Sequence, residues 1–264
     1  MSDIVSQHAY TLRSMIQHHD RFIVAHRGSS GTAPENTMSS IRSAIEAGAL
    51  MVEVDVQLTK DDQVVLMHDP VLGRTTNGKG YIRTKTLQEL QTLDAGTWFN
   101  AQFSGEHIPL LSEALGYLKQ YKTYVNIEIK PPQKEDDHIA RLLAIIESVQ
   151  TLNMQEVTLF SSFHHESLHY IKKHYPTFHT AGIHQPNDKR LPSDIASEIG
   201  CEGFVCSLRE LTHAKADDAE KHDILLGVYT INDESDFQKI LQYTVPALVS
   251  NFPKTIKEFL QHLA

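Results

Sequence analysis

The chain has 264 residues, 41% of them hydrophobic and 22% charged, with 33 acidic against 24 basic side chains and a formal net charge of −9. That excess of acid, with no clustered Lys/Arg run, excludes a protein that lives on nucleic acid, because such binding needs a basic surface to neutralise phosphates. Two cysteines, Cys201 and Cys206, fit neither a disulfide framework nor a Cys-x-x-Cys zinc site, and read as small buried thiols in a reducing compartment.

The amino-terminal residues Met1 to His8 lack both the basic start and the apolar run of a signal peptide, and no later stretch reaches about 18 consecutive apolar residues. The chain as given therefore reads as cytoplasmic, with no membrane span. His18-His19-Asp20 follows, ahead of the first apolar run, and reads as a solvated face. Eight principal β-branched or apolar runs then recur, at 22–25, 51–56, 124–129, 157–161, 180–183, 204–207, 225–230 and 247–250. Helical stretches at 36–47, 138–149, 165–174, 233–242 and 254–262 alternate with them. Eight βα units in a chain of about 250 residues predict a single (β/α)8 barrel over 1–264 rather than an open sheet.

Two places break the rhythm. A ninth run, 63–67, follows the second strand after only Thr59-Lys60-Asp61-Asp62, too short for a parallel crossover, so it must return as an antiparallel hairpin with Asp61-Asp62 in its turn. The segment 70–109 then carries five glycines and one weak helical stretch, 87–93, and reads as an insertion at the carboxyl face of the barrel, where it would shape access to the site.

Charges inside otherwise apolar strands locate the chemistry. In Met51-Val52-Glu53-Val54-Asp55-Val56 the period of two sends the valines to one face and both carboxylates to the other, and Val125-Asn126-Ile127-Glu128-Ile129-Lys130 repeats the device. Three carboxylates converging inside a barrel mouth suit one hard divalent cation, Mg2+ or Ca2+, and the alternative is an ion-pair network with Lys130 or Arg27. Of 16 histidines, position selects two. His26 ends the first strand ahead of Arg27-Gly28, and a hairpin turning near 61 and 62, whose partners sum to about 123, sets His68 opposite Asp55 or its neighbour. Two imidazoles can form an acid and base pair at neutral pH, while Arg27 and Lys130 suit an anion. Together these groups suggest phosphoryl transfer on a small molecule. Phe163, Trp98 and Tyr229 are candidates to wall the pocket, and His164-His165-Glu166 reads as the first turn of a helix.

The ordered set Ala25-His26-Arg27-Gly28, Pro34-Glu35-Asn36-Thr37, Glu53-x-Asp55, His68-Asp69, Arg74-Thr75-Thr76-Asn77-Gly78, Ile108-Pro109-Leu110-Leu111, Glu128-Ile129-Lys130, Ser161-Ser162-Phe163 and Tyr229-Thr230-Ile231-Asn232 resembles the glycerophosphodiester phosphodiesterase family over nearly the whole chain. The resemblance implies metal-dependent hydrolysis of a glycerophosphodiester to sn-glycerol 3-phosphate and an alcohol. It implies Glu53, Asp55 and Glu128 as metal ligands, with Mg2+ favoured over Ca2+ by a cytoplasmic address, and His26 and His68 as acid and base. Arg27 and Lys130 would hold the phosphate, with Glu35, Asn36, Phe163 and Tyr229 in support. The chain departs from the family pattern at Ser250-Asn251-Phe252-Pro253, where relatives often carry Thr-Asp-x-Pro, and at Tyr229, where a Trp is frequent. Two other functions compete: a lysophospholipase D that would seat an acyl chain against Trp98, Phe99 and Phe103, and a non-catalytic module that binds phosphate esters.

Overall fold

The computed structural model describes residues 10–132 and 138–263, so the reading of the amino terminus at 1–8 lies outside the described residues. The strands are β1 (Phe22–Ala25), β2 (Met51–Leu58), β3 (Val64–Leu66), β4 (Val71–Leu72), β5 (Gly80–Tyr81), β6 (Tyr124–Ile129), β7 (Thr158–Ser162), β8 (His179–Ile183), β9 (Gly203–Ser207), β10 (Leu225–Tyr229) and β11 (Ala247–Ser250). Eight of them pair in parallel in the order β1-β2-β6-β7-β8-β9-β10-β11, and β11 returns to β1 with Phe22 opposite Ala247. The sheet is thus a closed (β/α)8 barrel, as the alternating runs predicted. Each barrel strand leads to a helix: α2 (Met38–Glu46), α4 (Leu111–Gln120), α5 (His138–Thr151), α6 (His165–His174), α7 (Pro192–Ile199), α8 (His213–Lys221), α9 (Glu234–Ile240) and α10 (Pro253–Leu263).

Strand alternation divides two cores. Val52, Val54, Val56, Val125, Ile127 and Ile129 face outward into the layer shared with the helices, and all six are fully buried. The inward residues Phe22, Val24, Met51, Leu159, Ala181, Ala247 and Val249 fill the barrel's lower interior, which Leu12 and Met15 of α1 (Leu12–His18) close from below. Burial on both faces explains why these strands read as nearly continuous apolar runs, interrupted by buried polar residues such as Asn126 and Ser161 and by the carboxylates of β2 and β6.

The ninth run pairs antiparallel with β2, but Val56 faces Leu66 and Gln57 faces Val65, a register sum of 122 rather than 123. Met67 therefore donates to the Asp55 carbonyl at 3.0 Å, and His68 lies one residue beyond. Thr59, whose hydroxyl bonds both Asp61 and the Gln63 amide, sets this turn, and Asp62 sits in it at φ 58°. The insertion holds the β4–β5 pair, α3 (Leu87–Gln91) and two 3-10 turns, more structure than one weak helix. Leu72, Ile82, Leu90, Ala95 and Ile108 give it a small core that continues into Val65 and Met67.

Candidate active site

The first strand delivers His26 and then turns sharply. Arg27 and Gly28 both take left-handed backbone, at φ 55° and 75°, which a β-carbon tolerates poorly and glycine accepts. The turn aims the Arg27 amide at Glu53 Oε2, 2.7 Å away, so a carboxylate of β2 satisfies backbone exposed by the end of β1. In Pro34-Glu35-Asn36-Thr37 the last three residues have separate tasks. Glu35 accepts from Arg27 Nη1 at 2.9 Å, and Thr37 caps α2 in a reciprocal pair with Ser40. Asn36, at φ 57°, stays outside the helix, and its side chain donates to Asp55 Oδ2 at 2.8 Å and accepts from the Asp55 amide at 3.1 Å. The helix accordingly begins at Met38 rather than at 36.

These elements enclose a cavity of about 490 Å3 at the carboxyl ends of the strands, lined by His26, Arg27, Glu35, Glu53, His68, Glu128, Lys130, Phe163 and Tyr229 among others. Asp55 and Asn36 are not in its wall and lie fully buried behind it. Trp98 is not brought to the site. It is 40% exposed, donates its indole N–H to the Ala95 carbonyl, and packs edge-on against Phe99. His164 caps α6 and Glu166 lies in its first turn, as the sequence predicted. His18-His19-Asp20 is exposed, as expected.

At the wall of the cavity and just behind it, one ligand oxygen each of Glu53, Asp55 and Glu128 lies within 4.8 Å of the others. Both anticipated cations reach them. Lys130 Nζ is 2.6 Å from Asp55 Oδ1 and also bonds Glu128 Oε1, while Arg27 Nε is 3.2 Å from Asp55 Oδ2. The ion-pair network and the carboxylate cluster thus coexist. Burial, then Asp55 and Glu128, pushes the Glu53 carboxyl well above its ordinary pKa, and burial with Asp55 pushes Glu128 up. Burial also acts to raise Asp55, but Lys130 and Arg27 override it and hold Asp55 well below the usual range. Glu53 Oε1 and the Oδ1 of Asn126, its register partner on β6, are buried without a hydrogen-bond donor. Two carboxylates that resist ionisation and two bare oxygen acceptors form a donor set that fits a hard divalent cation.

The two imidazoles are held alike, each by Nδ1. His26 Nδ1 donates to Asn251 Oδ1 at 2.7 Å, and His68 Nδ1 donates to Asp69 Oδ1 at 2.6 Å. Among the described residues Nε2 makes no hydrogen bond on either ring, although that of His26 lies 4.0 Å from Glu53 Oε2. Burial, then Arg27, lowers the His26 pKa to about 4, and burial lowers that of His68. Several contributing groups lay outside the residues singled out from sequence. Asn251 stood out only as a missing carboxylate, and Asp69 only as half of a His-Asp pair. Asn126 shares the inward face of β6 with Glu128 and could have been found by the same period of two. Ser161, whose buried Oγ has no hydrogen-bond partner among the described residues and belongs to a residue lining the cavity, stood out only as part of Ser161-Ser162-Phe163.

A (β/α)8 barrel with titratable groups gathered at its carboxyl face has the architecture of an enzyme. Comparisons specify which. The model of the glycerophosphoryl diester phosphodiesterase family matches residues 26–255. The glycerophosphodiester phosphodiesterase of Caldanaerobacter subterraneus is 32% identical over 234 residues, 89% of this chain and 95% of that one. One from Bacillus subtilis is 31% identical over 249 residues, 89% and 85% of the two chains. The solved structure of an Oleispira antarctica phosphodiesterase in complex with the product sn-glycerol-3-phosphate matches with a TM-score of 0.86 at 31% identity, covering 93% of this chain and 98% of that one. The chain belongs to the glycerophosphoryl diester phosphodiesterase family and is a phosphoric diester hydrolase.

Proposed function

We propose that this chain, acting as one domain over 1–264, hydrolyses small glycerophosphodiesters to sn-glycerol 3-phosphate and an alcohol, with His26 and His68 as the acid–base pair. The observation that carries the proposal is one cavity lined by two Nδ1-anchored imidazoles, two fixed cations and two carboxylates, Glu53 and Glu128, that cluster with Asp55 behind the wall. A phosphodiester carries one negative charge, and Arg27 and Lys130 supply the countercharge and fix its orientation. Glu53, Asp55 and Glu128 would hold one divalent cation, which supplies Lewis-acid polarisation of the phosphoryl group. Mg2+ suits a chain whose two cysteines are buried free thiols, consistent with a cytoplasmic address.

The glycerol 2-hydroxyl loses its proton to Nε2 of one imidazole as its oxygen bonds to phosphorus. The other imidazole gives its proton to the leaving alkoxide, and each ring returns to its starting state as water opens the cyclic phosphate. Asn251 and Asp69 keep each Nε2 available by fixing the proton on Nδ1. Against the lysophospholipase D alternative, Phe99 packs edge to face with both Trp98 and Phe103, and none of the three lines the cavity. Release of sn-glycerol 3-phosphate from glycerophosphocholine, glycerophosphoethanolamine and glycerophosphoglycerol, with lysophosphatidylcholine alongside, tests the proposal. Activity confined to the lysolipid would overturn it.

A further inference from the structure

Arg74 opens the Arg-Thr-Thr-Asn-Gly stretch of the insertion, and nothing above gives it a task. It does not line the cavity and its side chain is 44% exposed, yet all three of its guanidinium nitrogens are engaged. Nη1 and Nη2 grip Glu35 as a fork, at 2.8 Å to Oε2 and 2.7 Å to Oε1. Nε donates to Asp69 Oδ2 at 2.5 Å. Each carboxylate then passes the contact on. Glu35 Oε1 also accepts from Arg27 Nη1 at 2.9 Å, and Asp69 Oδ1 accepts from His68 Nδ1 at 2.6 Å.

We propose that Arg74 is a positioning residue that ties the phosphate-binding arm and the histidine arm of the site to one guanidinium from the insertion. Without it, Glu35 and Asp69 would be two carboxylates with no shared counterion, free to rotate away from Arg27 and His68. A planar fork with a third donor at Nε matches two carboxylates at once, which the single ammonium of lysine cannot do. The insertion is then a clamp on the catalytic machinery and not the expected wall of the mouth, since none of its residues lines the cavity. Its small core, continuous with Val65 and Met67 of the hairpin that carries His68, gives Arg74 a rigid base. This inference rests on the roles proposed above for Arg27 and His68.

The test compares wild type with Arg74→Ala, Arg74→Lys, Glu35→Gln and Asp69→Ala. Three quantities are read: kcat on a glycerophosphodiester, the Kd for inorganic phosphate by calorimetry in the presence of Mg2+, and the 15N shifts of the His68 ring. Glu35→Gln should weaken phosphate binding and leave the His68 ring in its Nδ1–H form. Asp69→Ala should release that tautomer and lower kcat with phosphate affinity kept. Arg74→Ala should do both, lowering kcat by about ten- to hundredfold, the scale on which removal of a group supporting a site residue acts. Arg74→Lys should not restore the pair of effects. Phosphate affinity and His68 shifts in Arg74→Ala both matching wild type would overturn the proposal, and so would a change in only one of them. Both quantities are measured without turnover, so an inactive wild type would count against the proposed reaction while Arg74 is still decided.

Discussion

The Nδ1 of His26 donates to Oδ1 of Asn251 across 225 residues of sequence, at 2.7 Å. Barrel closure makes the contact, since Ala25 of β1 pairs with Ser250 of β11 and the His26 amide bonds the Ser250 carbonyl at 2.9 Å. The Asn251 amide orients the ring, but it adds no negative charge to favour the imidazolium.

Asn251→Asp places a carboxylate on that nitrogen and should raise the His26 pKa by about one unit or more. One limb of the pH–rate profile then moves to higher pH: the acidic limb if His26 accepts the first proton, the basic limb if it donates to the leaving alcohol. A profile in which neither limb moves would remove His26 from the acid–base pair.

Cation binding should compete with protons. Burial and their carboxylate neighbours hold Glu53 and Glu128 above the ordinary glutamate value of 4.5, so the free site retains protons that a divalent ion must displace. Apparent Mg2+ affinity measured by calorimetry should therefore keep rising as pH is raised beyond 4.5, with protons released on binding. Affinity already level above that pH would mean that the cluster is not the binding site.

Much of this site was legible because a strand has a period of two. Glu53, Asp55 and Glu128 declared themselves as charges on an inward face whose outward face was valine and isoleucine. Contacts that depend on irregular backbone were not legible. Arg74 reaches Glu35 through an insertion without periodicity, and Asn251 reaches His26 only through barrel closure. The hairpin register, a sum of 122 where about 123 was expected, leaves His68 one residue beyond the partner of Asp55, within the expected pairing with Asp55 or its neighbour. Helices α4, α7 and α8 were not named from sequence, although α7 carries both end signals, a proline at its first position and Gly200 in left-handed backbone at its end.

Gly28→Ala should destabilise the fold and disturb the site together. A β-carbon there would fall 2.4 Å from Ser40 Oγ and 2.6 Å from the Ser40 carbonyl carbon, and φ is 75°. The backbone conformation alone costs about 1–2 kcal/mol for a residue other than glycine. Denaturant titration should show at least that loss, and an unchanged midpoint would show that the turn relaxes freely.

Cys201 and Cys206 should be inert in the folded protein. Burial pushes their thiols up to about 11 and about 12 respectively, which leaves almost no thiolate at pH 8. A colorimetric thiol reagent should label neither until denaturant is added, and prompt labelling of the native protein would contradict the burial.

The central claim is the reaction itself. Its most direct measurement is sn-glycerol 3-phosphate release from glycerophosphoethanolamine with Mg2+ and with EDTA, by wild type, His26→Ala and His68→Ala. The account predicts turnover that chelation abolishes and that each substitution lowers by about 10²- to 10⁴-fold, the usual contribution of a positioned acid or base. Turnover that persists in EDTA, or survives either substitution unchanged, would contradict it.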